Sequence, residues 1–242
     1  MPPLYMVEII PDMIALYRFL SIQGISGRED DTELGYGIHA WLRAAFGDLA
    51  PKPWRLLMDR KRPTRILGYA EGDAFMLREH LSISAQPSAA EVCRDPSQTI
   101  ISKAMPLIGR GRSLGFEVLC CPVVRKAGSG IEKDAFLAAV DAAPGNTLDR
   151  GQVYCDWVAS KLHEGGARVF DTHLKSFRLV RQVRKTQANG KARQYRPLLR
   201  PHVVVAGTLT VQDPEAFHCL LKKGVGRHRA FGYGMLLLRP PS

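Results

Sequence analysis

The hydrophobic pattern of the first 110 residues changes repeatedly between a strand-like and a helical period. Tyr5 to Ile10 is a short apolar run that predicts a first strand. From Thr32 to Phe46, apolar residues recur at spacings of three and four, which predicts a helix capped by Asp31 or Thr32. The same reasoning predicts strands at 54–58 and 64–69, a helix at 73–84 and an extended segment at 99–107.

The pattern restarts after a basic, glycine-containing link at residues 109–112. Asn189-Gly190 is a hairpin turn signal between two strands. The predicted elements are a strand at 115–124, a loose insert at 125–148 with a short helix at 133–140, a helix at 150–163, hairpin strands at 172–183 and 193–199, a strand at 202–211, a helix at 214–221 and a last strand at 235–238.

Both halves therefore approximate the order strand, helix, strand, strand, helix, strand, which is the ferredoxin-like order. The predicted fold class is α+β, with two tandem ferredoxin-like (RRM-like) domains built on antiparallel sheets. We expect the domains at residues 1–110 and 113–242, with the link at 109–112 between them.

The charge of the chain narrows the choice of partner. Its 242 residues include 34 basic and 23 acidic side chains, which gives a net charge of +11 and a pI of about 9.7. An excess of this size favours a polyanionic partner, most often nucleic acid, and RNA-recognition modules share the predicted topology. A basic surface that is merely solvated is the alternative.

Several other classes of protein are disfavoured. No apolar run approaches the ~20 residues that span a bilayer, and the first residues do not resemble a signal peptide, so we expect a cytoplasmic protein. The five cysteines form no Cys-x-x-Cys pair, and no cluster has metal-ligand spacing. We therefore expect reduced, mostly buried thiols and neither a metal nor a cofactor.

Tyr36 and His39 are the strongest candidates for chemistry. Their i, i+3 spacing places them on one face of the predicted helix. Histidine exchanges protons near neutral pH, and tyrosine can orient a phosphate or hydroxyl group. The pair could serve cleavage of RNA by its own 2′-hydroxyl, a reaction that in principle needs no metal. The alternative is a partly buried histidine and tyrosine near a helix start.

Two basic stretches are candidates for RNA binding. The first surrounds the predicted hairpin, where an arm reaching a duplex stem would contact mainly phosphates. Its residues include Arg178, Arg181, Arg184, Lys185, Lys191 and Arg193. The second is the Gly-rich loop, residues 224–234, which runs from a helix to a strand. Because phosphate-binding loops of nucleotide cofactors run from strand to helix, that order disfavours a nucleotide cradle. An ordinary helix cap and turn with solvated basic residues stays open.

Five segments of the chain carry a family resemblance. They are residues 36–42 with Tyr-x-x-His, 115–118 with 122–125, 157–162 with Gly165-Gly166, 205–211, and the Gly-rich loop with the last strand, 224–238. Their order along the chain resembles that of the CRISPR-RNA-processing endoribonucleases. The resemblance is strongest to the CasE branch, the Cascade subunit of type I-E systems.

The resemblance implies a specific activity. Members of this family bind the hairpin of a CRISPR repeat and cut once at the 3′ base of its stem without metal, leaving a 2′,3′-cyclic phosphate and a 5′-hydroxyl. They then stay with the mature guide RNA in Cascade, beside the other subunits. By position, His39 would transfer the proton and Tyr36 would be its partner. The loop would position RNA, with phosphate contacts from Arg227, His228 and Arg229.

Two other functions stay open at this point. The chain could be a non-catalytic subunit that binds the RNA hairpin in the same ribonucleoprotein, or a ferredoxin-like enzyme that acts on a small molecule. The first alternative shares the expectation of tight, salt-dependent RNA binding, and the second does not. In either RNA-binding case we expect the free protein to be a monomer.

Overall fold

The computed structural model describes residues 3–25, 34–125, 131–185 and 195–241, with the backbone alone at 182–185 and 195–198. The chain divides into two compact units. The N-terminal unit comprises Met1–Met105, Val180–Leu199 and Ala230–Gly232, and the C-terminal unit comprises the remaining segments. The assignment of domains to residues 1–110 and 113–242 stays a prediction.

The N-terminal unit contains a four-stranded antiparallel sheet in the order β2-β3-β1-β4. Its central strand β1 pairs with β3, where Tyr5 lies opposite Ala70, and with β4, where Tyr5 lies opposite Ala104. The elements are β1 (Tyr5–Ile9), α1 (Met13–Ile22), α2 (Gly35–Phe46), β2 (Trp54–Asp59), β3 (Arg62–Ala70), α3 (Ala74–Ser84), α4 (Pro87–Ala90), α5 (Pro96–Thr99) and β4 (Ile100–Ala104).

The sequence prediction missed helix α1. Asp12 caps this helix by accepting hydrogen bonds from the backbone N–H groups of Ile14 (2.9 Å) and Ala15 (3.1 Å). Its buried face includes Leu16 and Phe19. The predicted start of the next helix was also wrong within the described residues, because α2 begins at Gly35. The caps proposed at residues 31 and 32 lie outside the described residues.

The core of the N-terminal unit fixes the position of α2. Trp41 is fully buried on this helix, and its indole N–H donates a hydrogen bond of 3.0 Å to the carbonyl oxygen of Ala89. A methyl group on Gly37 would lie 2.9 Å from a side-chain carbon of Leu20 in α1. The two helices therefore approach closely at this glycine, and α2 has little freedom to rotate.

The C-terminal unit contains a second four-stranded sheet in the order β10-β5-β9-β8, and a small sheet of β6 and β7. This order and that of the first sheet are ferredoxin-like, so the predicted fold class is confirmed. The elements are β5 (Ser113–Cys120), β6 (Val123–Arg125), β7 (Glu132–Asp134), α6 (Ala135–Ala142), α7 (Arg150–Glu164), β8 (Ala167–Lys185), β9 (Tyr195–Val211), α8 (Pro214–Lys223) and β10 (Leu236–Arg239). The parts of β8 and β9 that lie between Val180 and Leu199 belong to the N-terminal unit.

Two predicted strands differ from those observed. The strand predicted at 115–124 ends at Cys120, and the residues after Pro122 form β6, which pairs with β7 from the predicted insert. The strands predicted at 193–199 and 202–211 are one continuous strand, β9, whose described part begins at Tyr195. The Asn189-Gly190 turn signal lies outside the described residues.

The five cysteines are free thiols, as predicted, and Cys219 alone among them is exposed. Burial raises the pKa of the Cys93 thiol to about 12 and that of Cys121 to about 12. Both thiols are therefore protonated at neutral pH. None of the helices within the described ranges is long and apolar enough to cross a bilayer.

The packing of β9 against β8 predicts a strong effect of one methyl group. A Cβ atom on Gly207 would overlap the backbone carbonyl oxygen of Asp171. We expect Gly207→Ala to lower stability by about 3 kcal/mol, because a backbone atom cannot move aside as a flexible side chain can. Thermal unfolding followed by circular dichroism measures the change. Gly109→Ala is the control, since nothing lies within 4 Å of its added methyl group. Equal melting temperatures of the two variants would contradict the prediction.

Candidate functional site

Helix α2 carries Tyr36 and His39 on its partly exposed face. Ile38, Trp41 and Leu42 lie on the other faces and are buried in the core of the N-terminal unit. Because the apolar residues fix the rotation of the helix, both polar rings are held half-buried at the surface. The structure thus brings together the two residues that the sequence assigned to chemistry.

A third ring, Phe231 from the tip of the Gly-rich loop, contacts both of them. The centroid of its ring lies 5.5 Å from that of His39 at an interplanar angle of 83°. It lies 6.3 Å from the centroid of Tyr36 at an angle of 32°. No pattern in the sequence singles out Phe231. Its separation from α2 along the chain left no local spacing that could have shown the contact.

The backbone of the loop tip is fixed against the N-terminal unit, to which Ala230–Gly232 belongs. The indole N–H of Trp54 donates a hydrogen bond of 3.0 Å to the carbonyl oxygen of Ala230. A methyl group on Gly35 would lie 2.6 Å from the carbonyl oxygen of Phe231. Gly232 has φ +89° and faces the Trp54 ring, where an added Cβ would lie 2.9 Å away. Glycine is needed at both positions for this close approach.

The surroundings of His39 favour its neutral form. Burial lowers the pKa of His39 below its usual value of 6.5, and the positive charges of Arg43 and Lys52 lower it further. Arg43 donates hydrogen bonds to the carbonyl oxygen of Gly47 (2.8 Å) and to the Asp48 carboxylate (2.7 Å). Lys52 is exposed. At pH 7 the imidazole therefore has a lone pair that can accept a proton.

The base of the Gly-rich loop is closed by backbone hydrogen bonds in the C-terminal unit. The N–H of Val225 donates to the carbonyl oxygen of Gly234 (2.8 Å), and the N–H of Gly234 donates to Leu119 (2.7 Å). Gly224 ends α8 with φ +79°. The loop thus runs from helix α8 to strand β10, in the order that the sequence predicted, and its glycines serve a cap and close backbone contacts.

Glu132 gathers three basic side chains at this base. Its carboxylate accepts from Arg227 Nε (2.5 Å), from His228 Nε2 (2.9 Å) and from Arg200 (2.8 Å). The Glu132 side chain is only 10% exposed. Burial alone would raise its pKa, but His228, Arg227 and Arg200 outweigh burial and hold the pKa below its usual range. Burial lowers the pKa of His228 more than Glu132 raises it, so His228 is mainly neutral at pH 7.

Four of the remaining residues predicted to bind RNA belong to the long strand β8. Arg178 is exposed on β8 with a terminal nitrogen 3.4 Å from His202 Nε2, and Arg181 is exposed three positions later. Arg184 and Lys185 belong to β8, where the backbone alone is described. Lys191 and Arg193 lie outside the described residues. Arg229 donates a hydrogen bond to the carbonyl oxygen of Lys223.

No group of three or more His, Cys, Asp and Glu side chains that could hold a metal ion occurs in the part of the chain that the structure describes.

Solved structures show the same fold over nearly the whole chain. "CRISPR endoribonuclease Cse3 bound to 19 nt RNA" matches with a TM-score of 0.65 at 19% identity, covering 98% of this chain and 100% of the other. Thermus thermophilus Cse3 bound to an RNA representing a pre-cleavage complex matches with a TM-score of 0.57 at 18% identity, with coverage of 98% and 100%.

Cas6e from Escherichia coli K-12 has a TM-score of 0.52 at 18% identity, again with coverage of 98% and 100%. No curated protein matches the sequence. A profile of the family described as "CRISPR associated protein" matches residues 4–240. Because that match spans nearly the whole chain, the protein belongs to this family of CRISPR-associated proteins, as its motifs predicted.

Proposed function

We propose that this protein is a metal-independent endoribonuclease that binds the hairpin of a CRISPR repeat and cleaves precursor CRISPR RNA at the 3′ base of the stem. The observation that carries the proposal is that His39 and Tyr36 share the partly exposed face of α2, where both rings contact Phe231 at the tip of the Gly-rich loop. Family membership supports it, as does the fold shared with proteins named CRISPR endoribonucleases and bound to RNA.

In the proposed reaction, the 2′-hydroxyl of the nucleotide before the cut attacks the adjacent phosphorus. His39 accepts the proton of that hydroxyl, and Tyr36 orients the phosphate by its phenolic O–H. The bond from phosphorus to the 5′-oxygen breaks, and the departing oxygen takes up a proton from the imidazolium. The products are a 2′,3′-cyclic phosphate and a 5′-hydroxyl. Lys52 lies close enough to lower the pKa of His39, and its charge would attract the phosphate.

The RNA is held by charge in this proposal. A net charge of +11 favours a phosphate backbone, and basic residues bind it by releasing counterions. Arg178 and Arg181 on β8, with Arg184, Lys185, Lys191 and Arg193 beyond them, would follow the stem. The mature guide RNA would stay bound and enter Cascade, because a "CRISPR RNA-guided surveillance complex" contains a chain of the same fold, with a TM-score of 0.56 at 16% identity.

The basic residues of the Gly-rich loop divide into two roles. The half-exposed Arg227 bonds Glu132 through Nε and keeps 51% of its side chain exposed, so it can reach a phosphate as well. His228 is 12% exposed and turns Nε2 toward Glu132, so it would hold the loop base. In this proposal the Gly-rich loop positions the RNA, and the contacts with Glu132 hold the base of the loop in place.

His39→Ala tests the catalytic assignment. We expect cleavage of a labelled repeat hairpin in EDTA to fall by about 10²–10⁴-fold, because the proton acceptor is lost. The affinity for a hairpin with a 2′-deoxy nucleotide at the cut should stay nearly unchanged, as measured by filter binding. His163→Ala, an exposed histidine at the end of α7, is the control. Equal cleavage by His39→Ala would remove His39 from the mechanism. A wild-type protein that binds the hairpin but never cuts it would be a non-catalytic subunit.

The pH dependence tests the protonation state. If neutral His39 is the base, kcat/KM should be level at pH 7 and fall by about tenfold per unit below the pKa of His39 in the free enzyme. The midpoint should lie below 6.5, because burial, Arg43 and Lys52 all lower this pKa. Lys52→Met should move the midpoint upward. A midpoint above 6.5 in the wild-type protein would contradict the neutral base.

Glu132→Gln tests the loop base. We expect the free energy of unfolding to fall by about 3 kcal/mol at pH 7, because the change leaves partly buried cations without their carboxylate. Glu164→Gln removes an exposed pair with Lys161 and should cost less than about 1 kcal/mol. Since the pKa of Glu132 is lowered by folding, its stabilisation is present above the usual glutamate pKa and lost as the pH falls through the lower folded value. Melting temperatures should therefore differ at pH 7 and converge in acid; a constant difference would contradict the role.

A further inference from the structure

The ring of Phe231 lies against the two side chains that the proposed reaction uses. Its edge-to-face contact with His39 has the perpendicular geometry that aromatic pairs favour, with the centroids 5.5 Å apart. The tilted contact with Tyr36, at 6.3 Å, places the same ring beside both residues. Phe231 is only partly buried, so it covers the surface of α2 and is not a buried member of the core.

The position of that ring is set by its backbone. The indole N–H of Trp54 donates a hydrogen bond to the carbonyl oxygen of Ala230. Gly35 has no side chain, which leaves room for the carbonyl oxygen of Phe231 at the start of α2. Gly232 then turns the chain away with a positive φ. A ring mounted on a fixed backbone can restrict the χ angles of the side chains that it touches. A half-exposed histidine without such a neighbour would exchange among several rotamers.

We propose that Phe231 is a positioning residue that holds the imidazole of His39 and the ring of Tyr36 in the orientation needed for proton transfer from the RNA 2′-hydroxyl. This inference rests on the proposed function. A general base must lie within hydrogen-bond reach of the proton that it removes. A misplacement of about 1 Å can cost about a hundredfold in rate. Phe231 itself transfers no proton.

Substitution of Phe231 separates positioning from packing. Phe231→Leu keeps most of the apolar volume but loses the ring, and Phe231→Ala loses both. We expect single-turnover cleavage at saturating hairpin RNA to fall between about tenfold and about a hundredfold in both variants. Affinity for the 2′-deoxy hairpin should stay near that of the wild type. Phe231→Tyr keeps the ring and should restore most of the rate.

The His39 imidazole gives a readout that does not depend on cleavage. Its NMR signals are identified by their absence in His39→Ala. Burial is the main cause of its lowered pKa, and Phe231 covers it, whereas the loop tip brings no charge to add to Arg43 and Lys52. In Phe231→Leu and Phe231→Ala, the titration midpoint should therefore move upward, toward 6.5. Phe75→Ala is the matched control, because Phe75 is 70% exposed on α3 of the same unit.

Either readout can overturn the proposal. An unchanged midpoint in both variants would show that the Phe231 ring does not shield His39 from water, and it would contradict the contact on which the proposal rests. A lower melting temperature with an unchanged single-turnover rate would show that Phe231 contributes to stability alone and does not position the catalytic side chains. If the wild-type protein fails to cleave, or His39→Ala cleaves normally, the proposed function fails by itself. The shift of the His39 midpoint then still decides whether the Phe231 ring covers this side chain in solution.

Discussion

One hydrogen bond, from the Trp54 indole to the carbonyl oxygen of Ala230, holds the tip of the Gly-rich loop inside the N-terminal unit, to which Ala230–Gly232 belongs. The bond requires a backbone that can pass close to other atoms. Gly35 and Gly232 provide it, because a side chain at either position would collide with the loop or with the Trp54 ring. Phe231 lies between these contacts, and its ring packs edge-to-face on His39.

Not all of the basic side chains of this protein are available to bind a phosphate backbone, as the base of the same loop shows. Glu132 is a single carboxylate, yet it accepts from Arg200, Arg227 and His228 in a site that is largely hidden from water. Such a cluster is costly to leave incomplete, because each buried charge has lost its hydration. Its members stabilise the shape of the loop base first, and only the half-exposed Arg227 combines that role with a surface position. The exposed arginines of β8 are the better sources of attraction for a phosphate backbone.

Local patterns predicted what depends on local physics. The spacing of Tyr36 and His39 and the order of strands and helices along the chain follow from neighbours in sequence. Helix α1 was equally local, with its Asp12 cap and buried face, and was overlooked. The contacts of Phe231 and Glu132 could not be predicted in this way. They join segments far apart along the chain, and no periodicity links their partners.

The burial of His39 reconciles the two proton transfers that the proposed reaction needs. Burial and two nearby cations disfavour the imidazolium, which keeps the lone pair available to the 2′-hydroxyl at neutral pH. The same surroundings make the imidazolium a stronger acid once it has formed. It then gives its proton readily to the departing 5′-oxygen, which is a much stronger base. A single histidine held in one orientation can thus act first as base and then as acid, provided that its ring reaches both oxygens. The contact with Phe231 matters for this reason, because a fixed imidazole plane directs its two nitrogens along fixed lines.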